Sequence, residues 1–288
     1  MSAPTPTAQR QQRHRPIAAT ARVWLRIHWR MFAAGWRRGA RYRGAAIGGL
    51  VANATFGFLK ASILVAAVDA GGGRMGPYDT ASITAYTWLS QALLGSVNLT
   101  GQSDLADRMK DGSVAIDLLR PVDLQTASTA QEVGRALFAL LPRGVPLVAL
   151  GVVVGGMRLP LDALSSGLGA VSIVAGTILS YLTVYLVAVV GFWSVETRGL
   201  QLAYMIISGF LAGLFVPVLL FPGWLFALAQ ATPFPSMLQT PIDVVSGRIT
   251  NWDAVQAVAV QFAWIAAVLV VGQLMTRAGR RRLEVQGG

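Results

Sequence analysis

Side chains able to do covalent or acid–base chemistry are scarce in this sequence and poorly placed for it. The only histidines, His14 and His28, lie in an arginine-rich N-terminal stretch. Neither an HExxH metal site nor a buried Ser/His/Asp triad can be assembled from them. Cysteine is absent, which removes thiol nucleophiles, disulfides and zinc-ribbon spacings. The two lysines, Lys60 and Lys110, follow no GxxxxG element and precede no Ser or Thr, so there is no P-loop. No catalytic, metal or cofactor site is expected in this chain. If ATP and Mg2+ drive its work, another subunit must bind them.

What remains are polar groups set inside apolar runs. Lys60 falls near the middle of one, where an ammonium costs about 2.5–3.5 kcal/mol on insertion scales. It must face protein or a water-filled cavity. Asn53, Gly57 and Lys60 share a helical face, and Thr84, Thr87, Gln91 and Asn98 form a matching stripe on the next run. Later runs offer Thr177, Ser180, Tyr181 and Tyr185, then Gln261 beside Trp264. Asn53, Lys60, Gln91, Asn98, Tyr181, Tyr185 and Gln261 are therefore candidates for lining a translocation pathway. The competing reading is interhelical hydrogen bonding, worth about 0.6 kcal/mol per bond on average. Arg143, inside the third run, can snorkel to the nearby surface, and Gly209 and Gly213 form a GxxxG pair suited to close helix contact.

The elements that must hold these residues are membrane helices. Hydrophobic residues make up 54% of the chain and charged residues 13%, against about 45–50% and about 25% in soluble domains. The apolar residues come in runs of the roughly 20 residues needed to cross a bilayer. The spacing predicts an all-α polytopic fold with six spans, over roughly 44–68, 81–100, 136–156, 164–190, 200–220 and 254–274. Around them fall a disordered basic tail over 1–20, an amphipathic interfacial helix over 21–43, the six-span domain over 44–276 and a basic tail over 277–288. In the interfacial helix, Trp24, Ile27, Met31 and Phe32 oppose Arg22, Arg26, Arg30 and Arg37 at helical spacing.

A net charge of +11 invites a nucleic-acid reading, but the cations cluster at the chain ends. Arg10, Arg13, Arg15, Arg22, Arg26, Arg30, Arg37, Arg38, Arg41 and Arg43 precede the first span, and Arg277, Arg280, Arg281 and Arg282 follow the last. Between spans, Arg108, Lys110, Arg120, Arg135 and Arg198 fall on one side, and Arg74, Arg158 and Arg248 on the other. This is the positive-inside pattern with both termini cytoplasmic. No folded basic domain with a readout helix is present, which argues against a nucleic-acid partner.

Two connections exceed a turn. The first, over 101–132, alternates Asp104, Asp107, Arg108, Lys110, Asp111, Asp117, Arg120 and Asp123, and a cytoplasmic loop so long and so charged needs a partner. The second, over 221–251, is extracytoplasmic yet apolar, and Pro222, Pro233, Pro235 and Pro241 divide it. Short re-entrant or interfacial helices packed on protein are expected there, because irregular backbone is not tolerated bare in lipid.

The stretch RMKDGSVAIDLLRPVD at 108–123, preceded by YTWLSQALL at 86–94, resembles the ABC-2 class of ABC-exporter permeases. So do FPGWL at 221–225 and Thr232-Pro233-Phe234. The resemblance covers most of the chain beyond the N-terminal tail, and LLRPV is its most specific part. It implies a bacterial plasma-membrane permease that pairs with a second permease, identical or homologous, above a dimer of cytosolic ATPases. Its cargo would be an amphipathic molecule moved out of the cytoplasm: drug-like, lipid-linked or peptide. It also implies an ATPase-docking coupling helix carried by Asp111, Gly112, Ile116, Asp117, Leu118, Leu119, Arg120 and Pro121. A Gly112 hinge, apolar Val114, Ile116, Leu118 and Leu119, and a Pro121 stop suit such a lever. A solvated loop helix is the plain alternative. Glu196 and Arg198, in the next cytoplasmic turn, are candidates for a secondary contact. A secondary transporter or channel would need ionisable relays or inverted repeats, and the sequence offers one intramembrane lysine and no clear repeat.

Overall fold

The computed structural model describes residues 17–41, 43–157, 159–160, 162–194 and 196–286. The tail over 1–16, with Arg10, Arg13, His14 and Arg15, and Arg158 lie outside the described residues. Everything described is helical or turn, apart from one β-bridge, Met75–Tyr78, in the turn after the second helix.

The helices are α1 (Ile17–Arg41), α2 (Arg43–Ala70), α3 (Thr80–Leu93), α4 (Asp104–Lys110), α5 (Val114–Leu118), α6 (Leu124–Ala139), α7 (Val145–Val153) and α8 (Ala163–Val189). They are followed by α9 (Arg198–Leu211), α10 (Gly223–Gln230), α11 (Phe234–Met237), α12 (Gln239–Val245) and α13 (Asn251–Gln286). A π-helical turn, Leu140–Gly144, joins α6 to α7. Four helical stretches are long and apolar enough to cross a membrane: Ala46–Ala70, Leu124–Val153, Ala163–Phe192 and Asn251–Arg281.

Two of the expected spans are shorter helices. α3 and α9 have 14 residues each, although the apolar sequence runs on past both. α9 stops because Gly213 adopts φ +83°. The Leu214 amide then bonds the Gly209 carbonyl and the Gly213 amide bonds the Phe210 carbonyl, the paired bonds of a Schellman cap. Gly213 thus ends the helix, and Gln239, Tyr86 and Val218 stand within 3.0 Å of where its side chain would begin, whereas Gly209 faces only Phe215 and Leu214.

α8 is the central strut. It packs against α13, α12, α6, α11 and α4, and most of its C-terminal two-thirds is buried. On one side, α3 packs against α2, α7 and the π turn. Gly57 of α2 leaves room for the Trp88 indole, which also meets Phe58 edge-on at 5.0 Å. On the other side, Gly176 of α8 lets the Met237 carbonyl of α11 approach so closely that a Cβ would sit 2.6 Å from it. The short helices α11 and α12 are therefore covered by protein, as proline-broken backbone in an apolar segment requires.

Helix α1 occupies the stretch expected to be amphipathic, and it has a protein partner. It lies along α6 with Gly35 against the Gln131 carbonyl and Gly134 against the Phe32 carbonyl, contacts too close for any side chain. Trp36 meets Phe138 edge-on at 5.3 Å, while Trp24 and Trp29 stay exposed. Exposed apolar side chains also band α2 (Ile47, Val51, Phe56, Ile63), α9 (Leu202, Ile206, Phe210) and α13 (Val260, Phe262, Val270). Apolar exposure on this scale needs a lipid or protein cover.

Candidate functional site

The segment between α3 and α6 is built as an anchored projection. Ser103 caps α4, its hydroxyl accepting from the Ala106 amide at 3.2 Å. Gly112, at φ +77°, turns the chain between α4 and α5 where a side chain would be strained. Asp111 accepts from the Ser113 hydroxyl and amide at 2.6 and 2.9 Å, and these bonds hold its carboxyl below the usual carboxylate range. Val114 is buried in a cluster with Leu105, Leu124, Tyr185 and Val189, and Leu118 packs at its edge. Asp117 accepts from Arg108 at 2.6 Å and pairs with Arg120 at 3.4 Å. Asp123 caps α6 through the Thr126 amide at 2.8 Å and accepts from Gln273 of α13 at 2.9 Å.

This geometry divides the expected coupling residues. Val114 and Leu118, four apart, share the inward face, whereas Ile116 and Leu119, three apart, share the outward one. Ile116 is 61% and Leu119 86% exposed. The four apolar residues therefore do not form one amphipathic face, since five residues of helix cannot align them all. Asp111, Gly112, Arg120 and Pro121 are exposed with the outward pair, and Asp117 points inward with Leu118. Lys110 reaches Glu196 at 3.2 Å, which brings the turn before α9 beside this segment. Glu196 is held below its usual range by the Arg198 amide and the Lys110 ammonium.

The intramembrane polar residues fall into three groups. The first ties α2 to α3: Asn53 donates to the Gln91 carbonyl at 3.2 Å, and Lys60 donates to the Ser90 hydroxyl at 3.1 Å. Lys60 also donates to the Leu214 carbonyl at 2.6 Å, just past the α9 cap, and lies 4.7 Å from the centre of the Tyr86 ring. The second group staples α8 to its neighbours. Gln261 accepts from the Ser172 hydroxyl at 2.9 Å and donates to the Ser172 and Ser236 carbonyls. Tyr185 and Thr276 share a hydrogen bond of 2.6 Å.

The third group borders open space. Asn98 and Tyr181 line a cavity of about 620 Å³ enclosed by the end of α3, α6, the π turn, α8 and α9. Its walls are apolar at Leu94, Val97, Met205, Ile206 and Phe215, and polar at Gln102, Arg135 and Arg143. Two further cavities, of about 410 and 430 Å³, border its polar end through Tyr181 and through Arg135 and Arg143. Of the seven pathway candidates, Asn98 and Tyr181 line the cavity of about 620 Å³, and Tyr185 joins Tyr181 on that of about 410 Å³. Arg135 and Arg143 had no pathway role in the sequence reading. The readable signal was Pro142 beside Arg143: proline removes an amide from the helical ladder, and the chain widens into a π turn in which the Val145 amide bonds the Leu140 carbonyl. Such turns recur at functional sites.

Among the described residues, no group of His, Cys, Asp or Glu could hold a metal ion. Four helical stretches long and apolar enough to cross a membrane are the architecture of a multi-pass membrane protein. The family described as ABC-2 family transporter protein matches residues 56–287, and the chain belongs to it. Members are membrane subunits of transporters, generally without enzymatic activity of their own, and work with an ABC ATPase. Neither the curated proteins nor the solved structures compared with the chain gave a match.

Proposed function

We propose that this chain is the permease subunit of an ATP-driven exporter of amphipathic molecules, coupled to a separate ATPase dimer through residues 111–121. The observation that carries the reading is the outward pair Ile116 and Leu119, at α5 and its C-cap, whose opposite face packs through Val114 against Tyr185 and Val189 of α8, while Asp117 ties the segment to Arg108 of α4 and Asp123, just beyond it, accepts from Gln273 of α13. A push on the exposed side is transmitted to the central strut without a flexible link, as rigid-body switching requires. ATP and Mg2+ belong to the partner.

In this reading the chain spans the bacterial plasma membrane six times with both termini cytoplasmic. α3 and α9 complete their crossings through the non-helical segments that follow them. The short helices α10 to α12 are re-entrant from the outer side, α1 lies at the cytoplasmic interface in contact with lipid, and a second permease, identical or homologous, covers the apolar side of α9. Asn98 and Tyr181 belong to the pathway, with Tyr185 at its edge; Lys60, Asn53 and Gln261 hold helices together around it, and the buried Gln91 Oε1 has no hydrogen-bond partner among the described residues. Copurification in mild detergent tests the core of this: a P-loop ATPase and a second permease are recovered with the chain, and transport requires hydrolysis. Transport by the chain in liposomes without any ATPase would instead establish a secondary transporter or channel.

A further inference from the structure

We infer that the cavity between α3, the π turn and α9 binds an amphiphile with an anionic headgroup, held by Arg143 and Arg135. The inference rests on the permease reading and narrows its substrate class.

The chemistry of the lining carries it. Among the described residues, the charged side chains on the cavity of about 620 Å³ are two cations, Arg135 and Arg143. They are not equivalent. Arg135 is bound to Glu132 through two bonds of 2.6 and 2.9 Å and touches the Tyr181 hydroxyl at 3.4 Å. Arg143 has no ion-pair partner among the described residues, and its buried Nε meets no acceptor there. A guanidinium at this depth in an apolar helix is costly unless something answers it.

Room has been made for that guanidinium. Its carbon and nitrogens lie where the Cβ of any residue other than glycine would stand at position 49 of α2, 2.4 Å from the built atom. Gly95, in the turn after α3, faces the Arg143 side-chain stem, 3.8 Å from where a Cβ would stand. The half-buried side chain thus lies against α2 and the turn after α3, with its Nε the buried part. Its planar fork suits bidentate binding of phosphate, sulfate or carboxylate. Gln102, Asn98 and Thr100 add neutral polar groups at the same end, and Leu94, Val97, Met205, Ile206 and Phe215 give an alkyl chain its wall.

The test uses the full chain in phosphatidylcholine nanodiscs, with dodecyl phosphate as the anionic probe and dodecanol as its neutral counterpart. Dodecyl phosphate is expected to bind saturably and at least about tenfold more tightly than dodecanol, the scale of one charge-assisted contact. Arg143→Gln should remove that preference, Arg143→Lys should keep most of it, and Ile206→Trp, which fills the apolar wall from the exposed side of α9, should weaken the binding of both probes. Adding phosphatidylglycerol to the nanodiscs separates the sources. Competition assigns the site to a bilayer lipid headgroup, and its absence assigns it to a free anionic amphiphile. Equal binding of the two probes, or unchanged dodecyl phosphate binding in both Arg143→Gln and Ile206→Trp, overturns the inference. Because binding is read without nucleotide, this failure leaves the permease reading standing wherever the ATPase still copurifies.

Discussion

Lys60 and Arg143 are both cations inside apolar helices, yet the structure treats them in opposite ways. Lys60 is fully engaged, with two hydrogen bonds and an aromatic face, and it borders none of the cavities described. Arg143 has neither an ion-pair partner nor an acceptor for its Nε among the described residues, and it borders two cavities. Depth in the membrane alone therefore does not mark a functional charge. What separates the two is whether protein groups answer the charge, and that depends on residues far away in the chain.

The largest stability effect in this comparison belongs to Lys60→Met. It leaves the Leu214 carbonyl and the Ser90 hydroxyl without their donor and is expected to cost about 2 kcal/mol, read by unfolding in detergent. Arg143→Met, at similar depth, should change stability by less than about 0.5 kcal/mol, as for a site outside any protein network. An equal loss in both variants would erase the contrast.

Gly213→Ala attacks the Lys60 side through the backbone. It places a side chain at φ +83°, with its Cβ 2.8 Å from Gln239 Oε1, and should cost about 1–2 kcal/mol. Its effect should overlap with that of Lys60→Met in a double-mutant cycle, since both loosen the end of α9. Strict additivity would mean that the ammonium and the cap act independently. Gly49→Ala sharpens the Arg143 side with the smallest expected effect on stability. The added methyl displaces the end of a flexible side chain rather than backbone, so unfolding should shift by less than about 0.5 kcal/mol while binding of dodecyl phosphate falls.

Membrane residence was legible in the sequence because the length of an apolar run is itself the physical requirement; the long helices α2 and α8 lie within a few residues of the expected spans, whereas α13 starts close to its expected span and runs on about twelve residues past its end. The ends of α3 and α9 were not legible, because hydropathy continues past the turn that stops the helix. Gly213 ends α9 through its φ, which no hydrophobic average contains. Tyr185 and Gln261 were legible as polar residues within the membrane, but their partners Thr276, Ser172 and Ser236 lie on other helices. The close fit of Arg143 against Gly49 and Gly95 was not legible, because both glycines lie far away in the chain. Around residue 116 the apolar pattern was visible and its division into two faces was not, because five residues of helix make too short a period to read.

The central claim is that the face bearing Ile116 and Leu119 docks an ATPase while Val114 packs that segment against α8 and Asp117 ties it to Arg108 of α4. The most direct measurement compares ATPase copurification and transport-coupled hydrolysis between the wild-type chain and the double variant Ile116→Asp, Leu119→Asp. Because both side chains are exposed, the variant should unfold like wild type, within about 0.5 kcal/mol, yet lose the ATPase and the coupled hydrolysis together. Full retention of both in the correctly folded variant would contradict the account.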